Sequence, residues 1–191
     1  MKDSNTVILG FGRFQPPTLG HKILIDKIKN LSKESNADYY IYVSKTQGNT
    51  ATTKLKNPLP IDEKIQFLNK MFPDTVFVAT DTVVRTLIEI VSNLNHRYDN
   101  LIMVCGSDRV FEFESLLNTY NNVEYHYNQI KVISAGIRDP NSLEVTSYSG
   151  TKARTAVLSN DEHGFIRFTG ADNSITVNNK TLFQTVKEYI T

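Results

Sequence analysis

Short apolar runs alternate with stretches of helical periodicity along most of the 191-residue chain, and that alternation limits the fold more than any other feature. Residues 6–11 are near-continuously apolar, as a strand buried on both faces should be. Residues 20–35 then place Ile23, Leu24, Ile28 and Leu31 on one helical face. Residues 39–44 read as a second strand, and a polar loop spans 45–59. A second helix over 61–72 begins just after Pro60 and carries Ile61, Ile65, Leu68 and Phe72 on one stripe. A third strand at 75–79 precedes a third helix at 82–95, where Val83, Val84, Leu87, Ile88 and Val91 repeat. Residues 101–105, 108–119 and 130–134 read as strand, helix and strand; a polar loop over 135–148 leads to a fifth helix near Gly150. The tail from about residue 161 holds one more amphipathic helix, with Leu182, Phe183, Val186 and Ile190. Strict alternation implies a parallel sheet covered by helices on both faces. Right-handed crossovers reduce the choices to doubly wound arrangements. The expected fold class is therefore α/β, with a doubly wound five-stranded parallel sheet. No repeat, low-complexity tract or linker interrupts the chain, so residues 1–191 are expected to form a single domain.

Composition narrows the function. Twenty-one basic residues against 20 acidic ones leave a formal charge of +1, which argues against a protein that coats nucleic acid through bulk charge. The single cysteine, Cys105, excludes an internal disulfide framework and reads as a buried small hydrophobe. His96, His126 and His163 share no spacing with one another, and no His/Cys cluster suited to zinc is visible. Polar Asn5 and Thr6 precede a run of only five apolar residues, which does not read as a signal peptide. No apolar run approaches the ~20 residues a membrane helix needs. The expectation is a soluble, cytoplasmic protein with no membrane partner.

In doubly wound sheets ligands bind beyond the carboxyl ends of the strands, and three loops at those ends carry unusual residues. The first runs from Gly12 to His21, stiffened by Pro16 and Pro17. It delivers the chain to a helix start, whose first N–H groups lack partners and whose dipole end is positive. Thr18 and His21 can donate hydrogen bonds to an anion held there. The second loop, Gly106-Ser107-Asp108-Arg109, suits a sugar hydroxyl or an adenine edge, and Arg109 can reach a phosphate. The third, Ser149-Gly150-Thr151-Lys152-Ala153-Arg154, puts two hydroxyls, a glycine and two cations at a helix start, a set suited to a polyphosphate. Each of the three also reads as an ordinary helix cap or turn; their joint appearance after the correct elements favours the functional reading.

These residues resemble the nucleotidyltransferase superfamily that carries an (H/T)xGH signature. Gly12 through Pro16 and on to Gly20-His21 is similar to its opening GxFxPxHxGH pattern, and Ser149 to Arg154 is similar to its closing ISSTxxR pattern. Cys105-Gly106-Ser107-Asp108 resembles the segment that contacts the nucleoside. The resemblance covers about residues 6–158, which leaves 159–191 as a C-terminal helical extension on a Rossmann-like core. Arg13-Phe14-Gln15-Pro16 is most like archaeal-type nicotinamide-nucleotide adenylyltransferases. Asn57-Pro58-Leu59, Ser134-Ala135-Gly136 and Arg138-Asp139-Pro140 look like bacteriophage-encoded members, which would place the protein in a host cytoplasm. Two positions depart from the pattern: Thr18 replaces the first histidine, and Gly150 replaces the second serine.

The resemblance implies direct transfer of a nucleoside monophosphate from a triphosphate to a phosphorylated acceptor, with release of pyrophosphate and no covalent enzyme intermediate. It implies ATP with nicotinamide mononucleotide (NAD synthesis) as the leading pair. A cytidylyltransferase using CTP and a phosphorylated alcohol is the alternative within the enzymes. A catalytically weakened nucleotide-binding module is the alternative outside them, with Thr18 and Gly150 as its only support. A synthetase-like fragment is disfavoured by the short chain and the lack of a basic appendage. His21 becomes the main donor to the α/β-phosphates, with Thr18 assisting. Lys152 and Arg154, with Ser149, Gly150 and Thr151, hold the β- and γ-phosphates. Gly12, Arg13, Phe14 and Gly20 belong to the nucleotide-binding loop, and Arg13 can meet either substrate's phosphate. Gly106 and Asp108 contact the nucleoside. Mg²⁺ arrives with the triphosphate, bound mainly by its oxygens, so no protein metal ligands are assigned. Lys45, Lys54 and Lys56 sit on the 45–59 loop, which reads either as a plain surface loop or as a lid over phosphates. Arg138 reads either as a substrate contact or as a partner for Asp139. The C-terminal helix can serve an oligomer surface or the core equally well.

Overall fold

The computed structural model describes residues 5–136 and 147–191. Five strands form a parallel sheet in the order β3-β2-β1-β4-β5. They are β1 Thr6–Gly12, β2 Asp38–Val43, β3 Phe77–Ala79, β4 Asn100–Cys105 and β5 Gln129–Ser134. The order steps outward from β1 to β3 and then returns past β1 to β4. That reversal makes the sheet doubly wound, an α/β Rossmann-like fold as the alternation of elements predicts. Ligands in such sheets lie beyond the carboxyl ends of the strands at the reversal, which here are Gly12 and Cys105.

The chain divides into two compact units, each made of three segments. The first comprises Met1–Gly12, Ile23–Tyr42 and Thr80–Arg138. Within it, β1 and β4 run parallel with Thr6 opposite Asn100 and Gly10 opposite Val104, and β4 pairs likewise with β5. Val7, Ile8, Leu9, Ile41, Met103 and Val104 are fully buried. Helix α1, Leu19–Ser35, contributes Ile25 and Ile28 to this core. An added Cβ at Gly10 would lie 2.6 Å from Ile28 Cδ1, so the glycine lets the helix pack close on the strand. Helix α4 covers Leu87–Asn95, five residues later than the periodicity suggests. Asp81 is the reason: its carboxylate accepts the Val83 and Val84 amides (2.7 Å each) and folds a turn. Thr86 and Glu89 then form a capping box that sets the true helix start. Val83, assigned to the apolar stripe by periodicity, is 75% exposed. Helix α5, Val110–Tyr120, follows a 3₁₀ turn at Ser107–Arg109.

The second unit comprises Arg13–Lys22, Val43–Ala79 and Asp139–Thr191. It holds α2 (Ala51–Lys54), α3 (Ile61–Met71), α6 (Gly150–Leu158), α7 (Glu162–Thr169) and α8 (Leu182–Ile190). A two-stranded antiparallel hairpin, β6 Thr176–Val177 and β7 Lys180–Thr181, precedes α8. Leu59, Phe67, Ala153, Val157, Phe165, Leu182, Phe183 and Val186 make one core cluster. The sequence reading missed α7 and the hairpin. Gly164 interrupts the α7 pattern; an added Cβ there would lie 2.1 Å from the Asp161 carboxylate that caps the helix, so the glycine leaves room for the cap. The apolar stripe of α8 lies in this core. No helix among the described residues is long and apolar enough to cross a membrane.

Candidate functional site

The loop after β1 is held by its own buried side chains, all within the second unit. Phe14 adopts φ +49°, a left-handed conformation that a bulky residue rarely tolerates without a compensating reason. Its ring is only 1% exposed and lies 4.6 Å, centroid to centroid, from the His21 ring. Phe77 meets it edge-on at 6.2 Å. The phenyl group therefore supports His21, and only the Phe14 backbone is left to meet a nucleotide. Gln15 is buried and its amide is fully used. It donates to the carbonyls of Leu59 (2.8 Å) and Thr46 (2.9 Å) and accepts from the Leu59 amide (2.8 Å). These bonds, with Gly48 N–H to the Asn57 carbonyl at 2.8 Å, fasten the 45–59 segment at both ends. The segment also contains α2, so it is not a featureless loop.

Thr18 caps α1. Its carbonyl accepts the His21 and Lys22 amides at 3.0 and 3.3 Å. Its own N–H donates to His21 Nδ1 (3.0 Å), and its hydroxyl lies 2.8 Å from the same nitrogen. A backbone N–H can only donate, so Nδ1 accepts, and the ring must carry its proton on Nε2. His21, third from the cap, fills the place that Glu or Gln takes in a capping box. Thr18 is wholly buried, and its hydroxyl is shared between His21 and the Tyr148 carbonyl (3.3 Å). The hydroxyl expected to meet a phosphate is thus already engaged with groups of the protein.

At the start of α6, Ser149 is the cap, and its hydroxyl accepts the Lys152 amide at 3.3 Å. Lys152 Nζ donates to Ser147 Oγ at 2.9 Å. Arg154 donates through one arm to the Gln15 carbonyl and through the other to Thr151 Oγ1 at 3.2 Å. The two motifs, 130 residues apart at Thr18 and Tyr148, are thus directly joined. Two glycines allow that approach. An added Cβ at Gly20 would lie 2.1 Å from the Tyr148 carbonyl oxygen, and one at Gly150 would lie 2.7 Å from that of Gln15. Gly150, the departure from the usual serine, is therefore a packing requirement in this chain.

The cations here donate to neutral oxygens. Arg13 donates to Asn57 Oδ1 at 3.4 Å, and Lys152 and Arg154 bond as described. Lys64, on α3, is wholly buried and donates to the carbonyls of Arg13 (2.9 Å) and Ser44 (2.7 Å). Among the described residues, no carboxylate pairs with any of the four. Burial first, and then the neighbouring Arg13 cation, push the Lys64 ammonium down to about 8 and the Arg154 guanidinium below its usual value. Positive charge without a counter-ion among the described residues suits an anion. Sequence reasoning missed Lys64 and Gln15. The signal for Lys64 was present, since it stands three residues after Ile61 and four before Leu68, inside the apolar stripe.

The remaining expected residues divide as follows. In the first unit, Gly12 ends β1, and Gly106 caps the 3₁₀ turn, its carbonyl accepting the Arg109 amide at 2.9 Å. Asp108 is exposed on that turn. Arg109 is engaged locally: it pairs with Glu112 at 2.7 Å and lies 4.7 Å from the Phe113 ring centre. Lys45, Lys54 and Lys56 are exposed in the second unit. Arg138 lies outside the described residues. Cys105 is buried, which raises its thiol to about 11 and removes it as a nucleophile at neutral pH.

The model of the cytidylyltransferase-like family matches residues 9–156. Among solved structures, the chain is similar to Plasmodium falciparum nicotinic acid mononucleotide adenylyltransferase complexed with APC. The two are 15% identical with a TM-score of 0.46, over 86% of this chain and 90% of that one. A search of curated proteins gave no significant match.

Proposed function

The chain belongs to the cytidylyltransferase-like family of nucleotidyltransferases, and from that premise we propose that it transfers a nucleoside monophosphate from ATP to a phosphorylated acceptor, nicotinamide mononucleotide first among them. One observation carries the reading. The starts of α1 and α6 are joined through the Tyr148 and Gln15 carbonyls in one compact unit, where Arg13, Lys152 and Arg154 donate to neutral oxygens. In the reaction, an acceptor phosphate oxygen forms a bond to the α-phosphorus as the bond to the bridging oxygen breaks, and pyrophosphate leaves with its electrons. Catalysis is then positioning and charge stabilisation. His21 Nε2–H donates to the α- or β-phosphate oxygens, and Thr18 holds the ring in the donating tautomer. The Gly150 and Thr151 amides, with Lys152 and Arg154, take the β- and γ-phosphates. Arg13 meets a phosphate of either substrate.

Magnesium enters as part of the triphosphate complex. Arg13, His21, Lys152 and Arg154 are not hard-cation ligands, so the metal is held by phosphate oxygens and water. The preference for ATP and nicotinamide mononucleotide rests on the likeness of Arg13-Phe14-Gln15-Pro16 to archaeal-type relatives. The test is pyrophosphate release from Mg–ATP or Mg–CTP across a panel of phosphorylated acceptors. ATP with nicotinamide mononucleotide is expected to yield NAD. Turnover with CTP alone would replace that substrate pair, and nucleotide binding without turnover on any acceptor would overturn the enzymatic reading.

A further inference from the structure

Lys64 is the one wholly buried cation among the described residues, and the reaction above makes no use of it. A lysine is almost never fully buried without a specific partner. This one has two, both backbone carbonyls, and both belong to the first residues beyond strands: Arg13 after β1 and Ser44 after β2. Arg13 carries a guanidinium of the anion site described above. Holding the Arg13 carbonyl fixes the backbone from which that side chain reaches out. Resting on the nucleotidyltransferase reading, we propose that Lys64 is a positioning residue of the phosphate site: its ammonium pins the Arg13 and Ser44 carbonyls and lends positive charge that a bound triphosphate stabilises.

Burial and the facing Arg13 cation already lower its affinity for a proton. Arg13, from the loop after β1, is the charged group that faces it; the β2 side presents the Ser44 carbonyl. A neutral amine keeps two N–H donors, so the pin survives deprotonation while the charge does not. An anion at the site favours the charged form, so binding must move the Lys64 titration to higher pH. A merely structural lysine would not respond.

The experiment uses the full wild-type chain labelled with ¹³C-lysine, titrated from about pH 7 to 10, with and without magnesium tripolyphosphate. Phosphorus NMR reports whether the anion binds. One Cε resonance is expected to titrate near 8 in the free protein. It should be absent in Lys64→Met, and should move up by about one unit or more in the complex. By linkage, each unit corresponds to about tenfold tighter binding by the protonated form, so folded Lys64→Met should bind at least about tenfold more weakly near pH 7. A resonance that stays in place while phosphorus shifts report binding would overturn the proposal, and so would undiminished affinity in a folded Lys64→Met. The first readout needs no variant, so it survives if Lys64→Met does not fold. If the wild type fails to bind tripolyphosphate, the phosphate-site reading itself falls.

Discussion

Replacing His21 by alanine is expected to lower turnover by a factor on the order of 10²–10³, the usual loss when one preorganised donor to a developing charge is removed. The effect should fall on kcat, because in the proposed mechanism the Nε2 proton meets charge that grows in the transition state. Alanine also removes the acceptor of the Thr18 N–H (3.0 Å) and the ring that packs on Phe14. A buried N–H left without a partner costs about 1–3 kcal/mol, so His21→Ala should melt at a lower temperature as well. His21→Gln separates the two roles. Glutamine at this position of a capping box can accept the Thr18 N–H, so stability should recover while turnover stays low. Near-normal pyrophosphate release in either variant would reject the role of His21.

Arg154→Ala is expected to lower kcat/KM by a factor on the order of 10² or more, since in the proposed mechanism it removes a charge that stabilises the leaving pyrophosphate. It also frees the Gln15 carbonyl and Thr151 hydroxyl that its two arms hold. Arg154→Lys should not restore the rate. One ammonium on a flexible stem cannot reproduce a planar fork that spans two fixed acceptors. Steady-state pyrophosphate release with both variants tests this, and full recovery by lysine would show that only the net charge matters.

The strand–helix alternation, the loop after β1 and the capped start of α6 were legible because each is a local pattern. The later start of α4 was also written locally, in Thr86 and Glu89, but the apolar pair Val83-Val84 masked it. Lys64 was visible as a charge in an apolar stripe, yet its two carbonyl partners lie 51 and 20 residues away. The reason for Gly150 was not legible at all. It depends on a backbone atom of Gln15, and no side-chain pattern encodes that approach. The same holds for Thr18, whose hydroxyl meets the Tyr148 carbonyl 130 residues away.

The central claim is that the starts of α1 and α6 serve one anion. It is tested most directly by following backbone ¹H–¹⁵N resonances while Mg–ATP is added to the wild-type chain. The informative amides are Leu19, Gly20, Gly150 and Thr151, which precede the first intrahelical bonds of their helices. All four are expected to shift together on a single binding curve. Movement at one helix start alone, or two curves of different affinity, would contradict it.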